Sequence, residues 1–244
     1  MSIIDRRTDR AGSSVVRGVR GTADAPPRTD SRVWAEVGAV AGVLAVVAYG
    51  IGSAVPLSAP LEAVVVSVFG PGIGLASAGL YEVLRLRRVT VSLKIALGAN
   101  LAASIAITLM LFAQIGFRRW LELRLPTGIG ATSGSPAYEA ANGLQLGLDV
   151  AWDVFLAMGT FLFALNMWTH PRFGRVFAIV GGSLAALLLV MNLGVFPEPP
   201  EDAGLFDPGP LVGLWYLAVA IRIGLSLRWV DDRGADAAPI GEGG

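Results

Sequence analysis

The chain has 244 residues, of which 54% are hydrophobic and only 16% charged, with mean hydropathy +0.62 and a formal net charge of zero. A soluble domain carries about a quarter charged residues, whereas here the charges cluster between long apolar runs, as in a membrane protein. The absence of cysteine excludes disulfides, thiolate nucleophiles and thiolate metal sites together, the single histidine, His170, cannot by itself build a histidine metal centre, and zero net charge exerts no general pull on nucleic acid. Lys94 is the sole lysine, and the preference for arginine alongside Ala, Gly and Val suggests a GC-rich bacterial genome.

Residues 1–32 are polar, with Arg6, Arg7, Arg10, Arg17, Arg20, Arg28 and Arg32 diluted by Asp5, Asp9, Asp24 and Asp30. Such a segment buries too little apolar surface to offset the entropy of ordering, and it reads as a disordered cytoplasmic tail. Arg6-Arg7 lies too far from the first apolar run, which begins at Val33, to head an export signal.

Six apolar runs follow, each near the ~20 residues that cross a hydrocarbon layer ~30 Å thick. They are spans 1 to 6, Val33–Ser53, Leu61–Leu84, Lys94–Phe117, Leu146–Trp168, Arg175–Phe196 and Pro210–Trp229. Backbone amides in lipid must be satisfied within their own segment, so the spans are helices; the alternation of a membrane β-barrel is absent. The expected architecture is an all-α bundle of six transmembrane helices over residues 33–229, followed by a second disordered tail over 230–244.

Placing the N-terminus inside puts all but four of the 19 basic residues on cytoplasmic segments. The exceptions are Arg118, Arg119 and Arg124 in an outer loop and Arg222 within span 6. The positive-inside rule therefore predicts both termini in the cytoplasm. The outer segment Pro197–Gly209 adds Glu198, Glu201, Asp202 and Asp207 and no basic residue, while Trp34, Trp120, Trp168 and Trp229 mark span ends, as interfacial anchors do. In the long outer loop, Arg118–Leu125 (RRWLELRL) has the pattern of a short amphipathic surface helix, and Thr127–Asn142 has the composition of a flexible connector.

Three features stand out within the spans. Asp149 and Asp153 lie four residues apart, on one face of span 4 with Trp152 between them. A carboxylate two turns into the membrane is costly unless it is protonated, paired or beside water. Arg222, in the middle of span 6, is the expected partner of Asp153; snorkelling to the interface is the alternative. Such a pair would form either a structural clasp or the floor of a proton or anion site. Span 2 contains Gly70-Pro71-Gly72-Ile73-Gly74, which predicts a kink or break. Gly70, Gly74 and Ala78, spaced by four, would equally let another helix approach closely. Span 5 carries Gly181-Gly182-Ser183 at comparable depth, and paired interruptions in two inverted halves can mark a transporter site. Asn100, Thr108, Gln114, Asn166 and Asn192 are expected to make interhelical hydrogen bonds.

The runs LKIALGANLAASIAITLMLF and LGLDVAWDVFLAMGTFLFALNMWTHPRFGRVFAIVGG resemble uncharacterised bacterial multi-pass membrane proteins of domain-of-unknown-function families. In these a helix, a short turn ending in F/L-G-R and a Gly-rich helix recur. The resemblance, over about Leu80–Leu227, implies a membrane domain of six to seven helices and supplies no activity, no catalytic residues and no cofactor.

The sequence thus predicts a multi-pass cell-membrane protein with no catalytic, cofactor or metal motif. Its partners are the lipid bilayer, a second copy or another membrane protein, and not nucleic acid. A non-enzymatic structural, accessory or sensory role leads. A small transporter or channel-like protein using Asp153 and Arg222 is the alternative, and an intramembrane lipid-modifying enzyme comes third.

Overall fold

The computed structural model describes residues 30–124, 136–196 and 203–236. Most of the expected N-terminal tail, the core of the long outer loop and the last eight residues lie outside these. Among the described residues the chain forms seven helices and no strand. They are α1 Asp30–Ala54, α2 Ala59–Arg85, α3 Val91–Arg124, α4 Pro136–Met167, α5 Gly174–Val195, α6 Gly209–Gly224 and α7 Leu227–Asp236. Five are long and apolar enough to cross a membrane, and a sixth span results if α6 and α7 are taken together.

The expected spans fall on these helices, but several edges move. RRWLELR does not form a separate surface helix; it continues α3 to Arg124, with Leu121 buried against the bundle. Likewise Pro136–Asn142, the last part of the expected Thr127–Asn142 connector, is the first part of α4. Span 6 is not one helix, because α7 turns 55° from α6. The turn is made by Ser226. Its N–H donates to Ile223 O at 2.9 Å, one residue short of the helical partner, while its hydroxyl donates to Arg222 O at 2.7 Å. The Ser226 carbonyl then accepts the first bond of α7, from Val230 N–H at 3.0 Å. Residues 230–236, expected to be tail, are therefore helical: Val230 is fully buried, and Asp231 pairs with Arg32 of α1.

The predicted break in α2 is also corrected. The helix runs continuously from Ala59 to Arg85 with Pro71 inside it. Proline removes one backbone donor, but its ring points to the exterior, while Gly70, Gly72 and Gly74 are buried against neighbouring helices. A Cβ on Gly70 would stand 1.9 Å from Thr108 Oγ1, and one on Gly72 2.9 Å from Ala45 Cβ. Ser104 Oγ donates to Gly70 O at 2.6 Å, tying α3 to the proline turn. These glycines are contact surfaces on two sides of one helix.

Close approach continues at α1, where a Cβ on Gly38 would lie 2.5 Å from Gly79 Cα. On α5 Gly181 receives an aromatic ring instead. Trp215 of α6 lies across Gly181, within 2.5 Å of where its Cβ would be, and donates Nε1–H to Phe177 O at 3.1 Å.

Successive helices pack side by side from α1 to α5, α6 returns to pack on α1, and α5 meets α6 only sparingly. The six long helices therefore form a ring. One end collects the start of α1, the α2–α3 and α4–α5 turns and α7, with Arg32, Arg85, Arg87, Arg88, Arg172, Arg175, Arg228 and Arg233. There Arg85 pairs with Glu82 at 2.6 Å and Arg32 with Glu36 at 2.9 Å. Thr90 caps α3 by accepting Leu93 N–H at 3.0 Å and donates to Asn166 Oδ1 of α4 at 2.7 Å. The opposite end gathers the acidic residues Glu62, Glu139, Asp149 and Asp207.

Candidate functional site

At the acidic end the ring encloses a cavity of about 850 Å³, lined by residues from all six long helices. On α1 it extends from Ser53 at the mouth to Gly42. Eleven residues at 1.5 Å each make that about 16 Å, half the thickness of a hydrocarbon layer.

Two polar contacts stand at the mouth. Glu62 of α2 pairs with Arg118 of α3, both at the rim. Asp207 Oδ1 accepts Gly209 N–H at 2.8 Å, turning the carboxylate onto the backbone just before α6, beside the opening. Below the rim an aromatic row crosses three helices. The rings of Tyr49 and Phe69 are 5.3 Å apart, and those of Phe69 and Trp152 6.1 Å apart. Trp152 stands between Asp149 and Asp153 on the cavity face of α4. Asp149 is half-buried, Asp153 is 7% exposed, and neither carboxylate is without a partner.

Tyr216 forms part of the floor. Beneath it a polar network joins four helices. Asn100 Nδ2 donates to Tyr216 Oη at 2.5 Å and to Ser77 Oγ at 3.1 Å, and the Tyr216 and Thr160 hydroxyls are hydrogen-bonded to each other at 3.0 Å. Ser77, Asn100 and Thr160 are buried, Ser77 Oγ itself donates to Ile73 O at 2.9 Å, and Asn100 Oδ1 alone finds no hydrogen bond. That oxygen abuts Gly159, where a Cβ would stand 2.0 Å away. The cavity is thus closed at mid-depth by a packed polar layer.

The sequence-predicted residues divide into three groups. Asp149 and Asp153 are brought together in the cavity wall. Arg222 is not with them: its Nε donates to Arg172 O at 2.5 Å, in the α4–α5 turn at the other end. Asp153 lies fourteen residues before the end of α4, about 20 Å away along the helix. The expected Asp153–Arg222 pair is therefore not formed, and the arginine snorkels to the end carrying the other arginines. Gly70, Pro71, Gly72 and Gly74 do not line the cavity, since they face helix contacts or the exterior. Asn192 lines it, with Nδ2 donating to Leu188 O at 3.0 Å. Tyr49, Phe69 and Tyr216 escape sequence reasoning because an aromatic residue in an apolar run looks the same whether it faces lipid or a lumen. Glu62 and Asp207 escape it because acidic residues near span ends read as ordinary interface polarity.

A second polar cluster occupies the arginine end. His170 is buried, its ring 5.0 Å from Trp229 of α7 and 5.4 Å from Phe173. Its Nδ1 accepts the Arg172 backbone N–H at 3.3 Å, which assigns the proton of the neutral ring to Nε2. Burial and the nearby Arg87 and Arg172 push its pKa down to about 4, against the opposing pull of the Val83 carbonyl.

Compared with known proteins, the chain matches no family model, no curated protein and no solved structure.

Proposed function

We propose that this chain is a multi-pass protein of a bacterial cell membrane, with both termini in the cytoplasm, that binds a small solute in a cavity open to the outside. Its role is recognition rather than catalysis, in a small transporter or a sensory or accessory membrane protein. The observation that carries this reading is the cavity itself, which brings the paired carboxylates of α4 to a half-membrane-deep lumen. The orientation rests on the arginines, which crowd the end away from the mouth. The floor favours the sensory or accessory form, because the Ser77–Asn100–Tyr216–Thr160 layer lies across the bundle beneath the lumen.

The chain has no cysteine, so a single Leu111→Cys reports on the cavity wall. Leu111 lies seven residues inward from Arg118, about 10 Å below the rim. A membrane-impermeant thiol reagent should modify it from outside intact cells. Filling the lumen with Gly213→Trp, at a lining position where a Cβ meets nothing within 4 Å, should slow the reaction. An inert cysteine in both intact and permeabilised cells means a dry cavity and sinks the proposal. Reaction only after permeabilisation reverses the orientation.

A further inference from the structure

We propose that the arginine end of the ring carries a binding site for the phosphate of an anionic phospholipid, formed by Arg172 and Arg222 where α5 begins and α6 finishes. The site stands apart from the cavity and needs only a bilayer around the ring. Its charge has no carboxylate partner. The acids that pair at this end are taken, Glu82 by Arg85 and both Glu36 and Asp231 by Arg32. Among the described residues Arg87, Arg172 and Arg222 form no ion pair. Buried His170 reports the resulting field: burial keeps its ring neutral, and the positive charges of Arg87 and Arg172 act in the same direction.

The donors are as free as the charge. The Arg172 side chain makes no hydrogen bond: its Nε is buried without a partner, and its Cζ stands 6.0 Å from the centroid of the Trp229 ring. Arg222 spends only Nε, on the Arg172 carbonyl at 2.5 Å, which brings the two side chains to one turn. A planar guanidinium fork matches two oxygens of one phosphate, and an aromatic shelf fixes its plane. α5 also begins here without a side-chain cap, so its dipole adds the same sign.

Depth and surroundings select a lipid over a soluble anion. Trp168, exposed and with Arg175 Cζ 6.0 Å from its ring centroid, marks headgroup level, as Trp229 does. Arg222 lies seven residues beyond Trp215, on the face of α6 turned to α5, at the loosest seam of the ring. Val176 and Ile179 of α5 and Ile221 and Leu225 of α6 are exposed at this end, an apolar surface for acyl chains. Basic pockets between helix ends at this depth hold anionic headgroups.

The test is thermal unfolding of the purified full-length protein in detergent with added phosphatidylglycerol, phosphatidylcholine of the same chains, or inorganic phosphate. Phosphatidylglycerol should raise the Tm by several degrees more than phosphatidylcholine, and inorganic phosphate should not match it. Arg172→Gln and Arg222→Gln should each remove most of that difference. Arg88→Gln, which deletes an exposed charge of the same end outside the site, should keep it. If Arg172→Gln and Arg222→Gln do not fold, the exposed flank Arg87→Gln carries the comparison and should weaken the shift where Arg88→Gln does not. Equal shifts from the two lipids, or none, overturn the site. Equal losses in Arg88→Gln and the site variants mean diffuse attraction and overturn it too. A full shift from inorganic phosphate makes the ligand a soluble anion and sinks the lipid assignment. The cavity is untouched by each result, since Leu111→Cys reports on it separately.

Discussion

Asp153 lines the cavity on the acidic side of the bundle, whereas Arg222 donates Nε–H to Arg172 O at the arginine end. Their separation has a thermodynamic signature, because distant sites without a shared partner contribute additively to stability. In a double-mutant cycle read by thermal unfolding in detergent, Asp153→Asn and Arg222→Gln should add to within about 0.5 kcal/mol. A restored double mutant would place the two groups in contact and contradict the bond from Arg222 Nε to Arg172 O. His170 makes the other prediction at this scale. Its folded pKa, about 4, lies below the ordinary histidine value of 6.5, so the unfolded chain binds more protons between those values. Stability should therefore be full above pH 6.5 and decline as pH falls towards 4. His170→Gln should lose that component of the decline; identical pH profiles for parent and variant would mean that the ring is not held neutral by Arg87, Arg172 and burial.

At the level of helices, glycine position separates contact from open space. Gly79 faces Gly38 so closely that its Cβ would lie 2.6 Å from Gly38 Cα and 2.8 Å from Trp34 O, both backbone atoms. Gly79→Val must push α1 away from α2, and a cost of about 1–3 kcal/mol or more is expected from overpacking alone. Gly98, in α3, meets nothing within 4 Å, so Gly98→Ala should be neutral or stabilising by up to about 1 kcal/mol through helix propensity. Comparing the two variants by thermal unfolding tests the seam, and equal effects would deny it. The same logic explains why Pro71 does not break α2. A proline with its ring on the exterior and glycines against both neighbours costs one donor but no packing.

For the whole molecule, charge asymmetry between the two ends is the main determinant of how the ring sits in a bilayer. Gly204, before α6 at the acidic end, and Val89, in the α2–α3 turn at the arginine end, are both exposed. Single cysteines at these positions should divide cleanly in intact cells: Gly204→Cys labelled by an impermeant reagent, Val89→Cys only after permeabilisation. The reverse pattern would turn the cavity mouth to the cytoplasm. The ring also gives a reason for a lumen at all. α5 meets α6 only sparingly, and Trp215 fills part of that seam by lying over Gly181. Without further bulk at the acidic end, the space inside the ring stays open.

The sequence by itself determined that the chain is all-helical, with five or six stretches long and apolar enough to cross a membrane, and that most arginines gather between alternate stretches. Each of these is a one-dimensional property, set by the length of apolar runs and by the charges between them. It also placed Asp149 and Asp153 on one helix face, since a spacing of four fixes that locally. Tertiary structure decided everything that depends on which helix stands beside which. It joined Asp149 and Asp153 to Tyr49, Phe69 and Trp152 around a lumen, and sent Arg222 to the other end. It turned a predicted helix break into a packing surface, and bent the sixth span at Ser226. An apolar residue facing lipid and one facing a neighbouring helix obey the same hydropathy rule. Only the packing of helix against helix distinguishes them.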